Sequence, residues 1–273
     1  MKLFLTLFLC CFFFAFAKAQ SPQIPTYIEL PLGVDQFYGV DDFNNLYYGK
    51  KNVIYKRPMH VNSNTGAQQF YDVQLGDLTS VDLINPLRIL LFYKDTQTVV
   101  LLDNRLNESL RISLSELQPY RYFEHSSLAG ERRLWLYNQD QQRLELVDYV
   151  QNKLIVSSPI IKDKVSHFTS DYNYCFLITD ESVLVFNSYA SRTSKLDRAG
   201  IQLADYDFEQ LVVWQDDQLK SYAFTSEYQL ESISNSWDVP EQVTTESFYL
   251  KNGKLYIYAL NRVSVFTANQ NKN

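Results

Sequence analysis

Apolar and polar positions recur in one pattern along this chain: an apolar run of three or four residues, a short polar turn, then a second apolar run. Ile89-Leu90-Leu91-Phe92 with Val99-Val100-Leu101-Leu102 is the clearest copy, and Leu134-Trp135-Leu136-Tyr137 with Leu144-Glu145-Leu146-Val147 is another. Six copies are present, anchored at Leu46, Ile89, Leu134, Phe176, Leu211 and Leu255, with a mean period of about 42 residues. The connections inside the pairs, such as Lys94-Asp95-Thr96-Gln97 and Gln215-Asp216-Asp217-Gln218, are short and polar, as β-hairpins require. A weaker strand precedes each pair, as in Val165-Ser166-His167-Phe168, and an alternating one follows, as in Ser109-Leu110-Arg111-Ile112-Ser113-Leu114. Four strands in about 42 residues is the spacing of a β-propeller blade. Only eight glycines serve the whole chain, so asparagine and aspartate are expected to carry much of the turn chemistry.

The last repeat decides the topology. Seven residues follow Phe266, too few for a turn and another strand, while Thr26-Tyr27-Ile28-Glu29-Leu30 supplies a spare strand ahead of the first repeat. A ring closes by lending that strand to the last blade, which hides an edge that would otherwise template aggregation. The expectation is an all-β fold, a six-bladed β-propeller whose last blade is completed by the N-terminal strand. The alternatives are a β-sandwich or a seven-bladed ring with one degenerate blade. The fourth strand of the fourth blade, near Ser194-Lys195-Leu196, is the poorest match. No long helix is expected; residues 113–118 have room for one turn.

Residues 1–19 follow a different rule. Lys2 gives a positive start, residues 3–17 are apolar apart from Thr6, and Ala17-Lys18-Ala19 puts small residues where a signal peptidase reads. The pattern predicts a secretory signal cleaved after Ala19 and one propeller domain over residues 20–273. The run is short for a membrane anchor, which needs about 20 apolar residues. Cleavage would remove Cys10 and Cys11, leave Cys175 alone, and move the net charge from −6 to −8. One cysteine forms no internal disulfide, so the core must hold the exported fold. Cys175, within Tyr174-Cys175-Phe176-Leu177-Ile178, reads as a buried strand thiol. A content of 46% hydrophobic and 15% aromatic residues excludes a disordered chain, and the acidic balance argues against a nucleic-acid partner.

Several segments resemble a family of uncharacterised exported propeller-like proteins of Bacteroidota-type bacteria. They are Val34-Asp35-Gln36-Phe37-Tyr38-Gly39-Val40-Asp41, Asn85-Pro86-Leu87-Arg88-Ile89-Leu90-Leu91-Phe92-Tyr93-Lys94, Val99-Val100-Leu101-Leu102-Asp103-Asn104-Arg105-Leu106-Asn107 and Arg133-Leu134-Trp135-Leu136-Tyr137-Asn138. The resemblance implies compartment and fold, and no activity. The chain ends within its last blade and leaves no room for a separate C-terminal sorting domain. The expected location is therefore the periplasm or the outer membrane's surface, with the extracellular space as the alternative.

No Gly-rich phosphate loop, paired-cysteine metal site, His-Glu-x-x-His or Gly-x-Ser-x-Gly is present. The Ser-x-Asp-x-Gly pattern of sialidase-type propellers is missing too. The central channel is the remaining place to look. Nine residues back from the anchors stand Phe37, Ser80, His125, His167, Gln202 and Glu246. One reading makes His125 and His167 metal ligands or acid–base groups with Glu246 as their carboxylate partner. The preferred reading is plainer: a wet channel is lined by polar side chains. No catalytic residue, metal or cofactor is therefore assigned. His125, His167, Glu246, Ser80 and Gln202 stand as candidate channel-binding positions. The count assumes equal hairpins, and a slip of one residue turns a side chain to the other face.

Asp35, Asp41, Asp42, Asp205 and Asp207 form an acidic set whose oxygens would suit Ca²⁺, but turn-forming aspartate is the preferred reading. Tyr120, Tyr122, Phe123 and Trp237 lie in inter-blade segments and are candidate interface residues, unless they pack between blades. Asn107-Glu108-Ser109 matches a glycosylation acceptor, relevant only in a secreted eukaryotic protein. The function expected is an exported binding or assembly scaffold for an envelope protein, peptide or glycan, without catalysis. No transmembrane segment remains after signal cleavage. A hydrolase or lyase acting through His125, His167 and Glu246 is the alternative, and an envelope component that binds no small ligand is the third reading.

Overall fold

The structure, a computed structural model, describes residues 26–61, 66–207, 209–235, 237–240 and 244–268. The expected signal, residues 1–19, lies outside the described residues. The described strands form six four-stranded antiparallel sheets arranged as a six-bladed propeller. Strand β1 (Thr26–Glu29) stands ahead of blade one, which comprises β2 (Gln36–Val40), β3 (Asn45–Lys50), β4 (Val53–Pro58) and β5 (Gln68–Phe70). Blade two is β6 (Ser80–Asp82), β7 (Ile89–Tyr93), β8 (Thr98–Leu102) and β9 (Glu108–Ser113), followed by a 3-10 turn at Leu114–Glu116. Blade three is β10 (Phe123–Leu128), β11 (Arg133–Asn138), β12 (Arg143–Asp148) and β13 (Lys153–Ser157). Blade four is β14 (Val165–Ser170), β15 (Tyr174–Thr179), β16 (Ser182–Asn187) and β17 (Arg192–Asp197). Blade five is β18 (Ile201–Asp207), β19 (Gln210–Gln215), β20 (Gln218–Phe224) and β21 (Leu230–Ile233). Blade six is β22 (Ser247–Lys251), β23 (Lys254–Ala259) and β24 (Arg262–Thr267), with β1 as its outer strand.

The first strand of each blade packs on the first strand of the next, and β22 packs on β2, which closes the ring around a channel. Closure is chemical as well as geometric. Ile28 of β1 pairs with Val263 of β24, and the Leu30 N–H donates to the Asn261 carbonyl at 2.8 Å. Arg57 on β4 is buried and donates to the Glu29 carbonyl at 2.8 Å, tying blade one to the borrowed strand. The sandwich and seven-bladed alternatives are excluded. The weak match in blade four nonetheless forms β17, six residues long.

Six apolar clusters fill the six gaps between blades. The middle strands read as continuous apolar runs because a neighbouring blade covers each of their faces. Every residue of β7 and β8 is buried. Each fully buried Leu, Val or Phe contributes about 1.5–3 kcal/mol. Cys175 lies fully buried between blades three and four, and burial pushes its thiol well above the usual range, so it packs as an inert hydrophobe.

The scarcity of glycine is met by one turn used four times. Asp41, Asp103, Asn187 and Thr225 each accept the N–H groups two and four residues on through their side-chain oxygen. The residue three positions on takes a positive φ: Asn44 59°, Leu106 62°, Ala190 52° and Tyr228 58°. Two-residue hairpins with positive φ at both positions use Lys51-Asn52, Asp216-Asp217, Asn252-Gly253 and Leu260-Asn261.

Gly39 cannot be replaced so easily. Its φ is +133°, and a Cβ there would stand 2.8 Å from the Tyr249 ring of blade six. Gly39→Ala combines backbone strain with a clash at the blade-one–blade-six seam. The expected cost is about 2–4 kcal/mol, read from denaturant unfolding. An unchanged midpoint would show that the seam yields without cost.

Candidate functional site

The first strands enclose a central cavity of about 830 Å³. His125 and His167 occupy equivalent positions on β10 and β14. Each stands just past an irregularity in register, His125 paired with Tyr137 and His167 with Ile178. Both line the cavity, as do Phe37, Ser80 and Glu246. Gln202 does not: it is exposed at the corresponding irregularity of β18, and Leu203, paired with Trp214, holds the cavity position. The hairpin explains the slip. Asp207 pairs with Gln210 in blade five, whereas Leu128 pairs with Leu134 in blade three. The shorter connection moves the count by one and exchanges a glutamine for a leucine.

The two histidines bridge blades. The His167 Nε2–H donates to the Ala204 carbonyl of blade five at 2.7 Å, the carbonyl fixing which nitrogen carries the proton. His125 stacks on Phe168 of blade four with ring centroids 5.6 Å apart and planes 10° from parallel. Its Nε2 is buried and has no hydrogen-bond partner. Burial, then His167, then Lys94 push the pKa of His125 down to about 4. Burial lowers His167 as well, against the pull of its bond to Ala204. Both rings are therefore uncharged near neutral pH. Glu246 is exposed, and its Oε1 accepts the Leu260 N–H of its own blade at 2.9 Å. The three residues share a cavity without forming an acid–base relay. Among the described residues no group of three or more His, Cys, Asp or Glu side chains could hold a metal ion.

The opposite mouth, at the C-terminal ends of the first strands, is acidic. Asp82 accepts the Leu128 N–H of blade three at 2.7 Å, and Asp205 accepts the Leu250 N–H of blade six at 2.7 Å. Asp207 accepts the Asn252 N–H at 2.7 Å, and Asp42 pairs with Lys251 at 3.1 Å. Thr169 of blade four donates to Asp205 at 3.1 Å. These carboxylates staple neighbouring first strands. Burial raises Asp82 to about 6 and Asp205 to about 7, against the lowering effect of the N–H groups they accept. Asp41 and Asp35 belong elsewhere: Asp41 shapes its turn and pairs with Lys56 at 3.4 Å, and Asp35 accepts the Lys51 N–H. Sequence reasoning missed Asp82, Tyr249 and Lys251. A charged residue inside a strand-forming run was the available signal for Asp82.

The aromatic candidates divide. Tyr120 is 60% exposed, and Tyr122 is half-buried. Phe123 is completely buried between blades two and three, where its backbone exchanges two hydrogen bonds with the Gln97 side chain, each of 2.8 Å. Trp237 is buried between blades five and six and donates to the Gly253 carbonyl at 3.1 Å. Those two rings pack between blades and offer no interface. Four exposed aromatics at hairpin tips escaped the sequence reading: Phe43, Tyr172, Tyr189 and Tyr228. They sit on first–second or third–fourth hairpins, which alternating strand directions place on the acidic face of the disk.

No protein-family model matches the chain, and no curated protein matches it. Solved structures do. The chain is similar to PorZ, a bacterial surface component of the type-IX secretion system of Porphyromonas gingivalis, with 14% identity and a TM-score of 0.54. That match covers 92% of this chain and 33% of PorZ, so the chain spans about a third of PorZ's length. A streptogramin B lyase matches with 11% identity and a TM-score of 0.56, covering 90% of this chain and 97% of the lyase. A chain of a mitotic checkpoint complex matches with 10% identity and a TM-score of 0.57, covering 92% and 97%. Such unlike proteins share only the propeller, and a fold hosts many functions.

The buried groups set opposing pH effects. Asp82 and Asp205 hold protons more tightly folded than unfolded. Their ionisation therefore removes stability as pH rises from about 4 to about 7. His125 and His167 bind protons less tightly folded, so they remove stability as pH falls below the usual histidine range. Between pH 7.5 and 5, the native protein should gain about 2 kcal/mol relative to Asp205→Asn, by chemical denaturation at both pH values. Parallel pH profiles would show that Asp205 does not titrate there.

Proposed function

We propose that this chain is an exported propeller scaffold that binds an envelope protein, peptide or glycan through a loop face and performs no chemistry in its channel. The observation that carries this reading is that most titratable groups of the channel are bonded within or between blades, His125, with its unpartnered Nε2, being the exception. His167 is bonded to Ala204, Asp82 to Leu128, Asp205 to Leu250 and Glu246 to Leu260. Ser127 and Ser170 share a hydrogen bond of 2.6 Å between blades three and four. A neutral imidazole with a pKa near 4 is a weak base at physiological pH, and the best proton-transfer groups titrate near the operating pH. The signal-like residues 1–19 support export. The fold-level similarity to a bacterial surface component is in keeping with an envelope setting.

The binding surface favoured by the geometry is the acidic face. Phe43, Tyr172, Tyr189 and Tyr228 present aromatic rings on short hairpins there. Aromatic anchors of this kind dominate binding energy when a partner covers them. Crosslinking and pulldown from native envelopes, read by mass spectrometry, tests the reading. One envelope partner should be recovered in near-equal amount. Tyr189→Ala with Tyr172→Ala should reduce recovery at least about tenfold, while His125→Ala leaves it unchanged. Recovery of no partner, together with a turnover abolished by His125→Ala at unchanged melting temperature, would establish the hydrolase or lyase reading instead.

A further inference from the structure

Sixteen large apolar side chains are exposed among the described residues, and four of them, Val150, Leu154, Ile155 and Ile160, fall on one short stretch at the rim of blade three. Single exposed apolar residues are ordinary, but four within eleven residues of one outer edge concentrate apolar surface there, as a covered surface does. The other outer strands are protected. β9 carries the Glu108–Arg111 ion pair, β17 the Lys195–Asp197 pair, and β1 presents Glu29 paired with Arg262. β21 holds Glu231, and β5 has only three residues. β13 has no charge after Lys153. At the register irregularity of the outer strand, blade two places Ser109 and blade four Thr193, but blade three places Ile155, 48% exposed.

Lys153 opens β13, and Lys162 and Lys164 lie on the link that leads from it inward to β14. Lys153, Lys162 and Lys164 are all exposed, and among the described residues none of them is in an ion pair. Residues 153–164 hold those three lysines against one aspartate, in a chain whose net charge is −6. The local excess is therefore opposite in sign to the rest of the molecule.

We propose that this rim of blade three docks on an anionic lipid surface. Leu154, Ile155 and Ile160 enter the boundary between headgroups and acyl chains, and Lys153 and Lys162 face the lipid phosphates. Aliphatic side chains flanked by lysine are what an anionic interface rewards. A protein partner fits less well, because lysine is depleted and aromatic residues are enriched at protein interfaces. A second copy related by a two-fold axis would set the lysines of one patch against those of the other. The irregularity at Ile155 also interrupts the edge that an added strand would need. The proposal does not rest on the scaffold reading, since the rim and the loop face are different surfaces.

Vesicle flotation of the chain without residues 1–19 tests it, using phosphatidylcholine alone and phosphatidylcholine with about 30 mol% phosphatidylglycerol at low and high salt. Flotation is expected only with the anionic vesicles, and it should weaken at high salt. Lys153→Gln with Lys162→Gln should lower partitioning roughly fivefold per lysine. Ile155→Asp should abolish it, with an unchanged melting temperature because the side chain is exposed. Equal flotation with both vesicles, no flotation, or unaffected variants would each overturn the proposal. So would a dimer, by light scattering, that Ile155→Asp dissolves, since the patch would then belong to a second copy.

Discussion

Everything in this molecule depends on the pairing of β1 with β24. A propeller has no single core. It has a ring of apolar layers, each shared by two blades, and the ring is continuous only if the last blade is complete. Without β1, β24 would be an open edge, the feature that templates aggregation. The sequence meets this constraint with more than a ladder. The buried Arg57 reaches the Glu29 carbonyl, and the Tyr258 hydroxyl donates to the Val34 carbonyl at 3.2 Å. Blade one thereby holds the strand that blade six borrows.

The same need for closure explains the channel. First strands converge on the axis, and their inward edges carry backbone N–H groups that no fifth strand can satisfy. Leaving such a group buried and unbonded costs about 1–3 kcal/mol. Asp82 answers for Leu128 and Asp205 for Leu250. Those carboxylates are held where burial works against their charge, which is why they titrate near neutrality. Their unusual acidity is a by-product of building a ring. Perturbed titration at the centre of a propeller therefore needs geometric support before it signals catalysis. Here the bonding partners are backbone groups of neighbouring blades.

The architecture was legible because its signal is redundant. Paired apolar strands such as β7 and β8 are buried on both faces, so six copies of one pattern survive variation in any of them. The N-terminal strand was legible by subtraction, from the seven residues left after Phe266. Site positions were less so. A fixed count reached His125, His167 and Ser80 but stopped one residue short of Leu203, because a hairpin's length is set locally by its turn. Tyr249 and Lys251 were illegible for another reason. Their contacts with Gly39 and Asp42 join blades six and one, nearly the whole chain apart in sequence. The buried rings of Phe123 and Trp237 show the limit of composition: an aromatic in a connecting segment fills a gap between blades as readily as it meets a partner.

If the channel's carboxylates and His167 are spent on cohesion, recognition falls to the periphery, and the two peripheral surfaces differ in kind. The acidic face offers separated aromatic rings on short hairpins, each suited to a pocket on a folded partner. The rim of blade three offers aliphatic side chains among lysines, suited to a surface without pockets. The two lie at right angles on a disk. A disk standing on its rim holds its faces upright above the lipid, so docking would orient the aromatic hairpins without covering them. Membrane and partner would then not compete for one surface. The rim would contribute orientation, and the face selectivity.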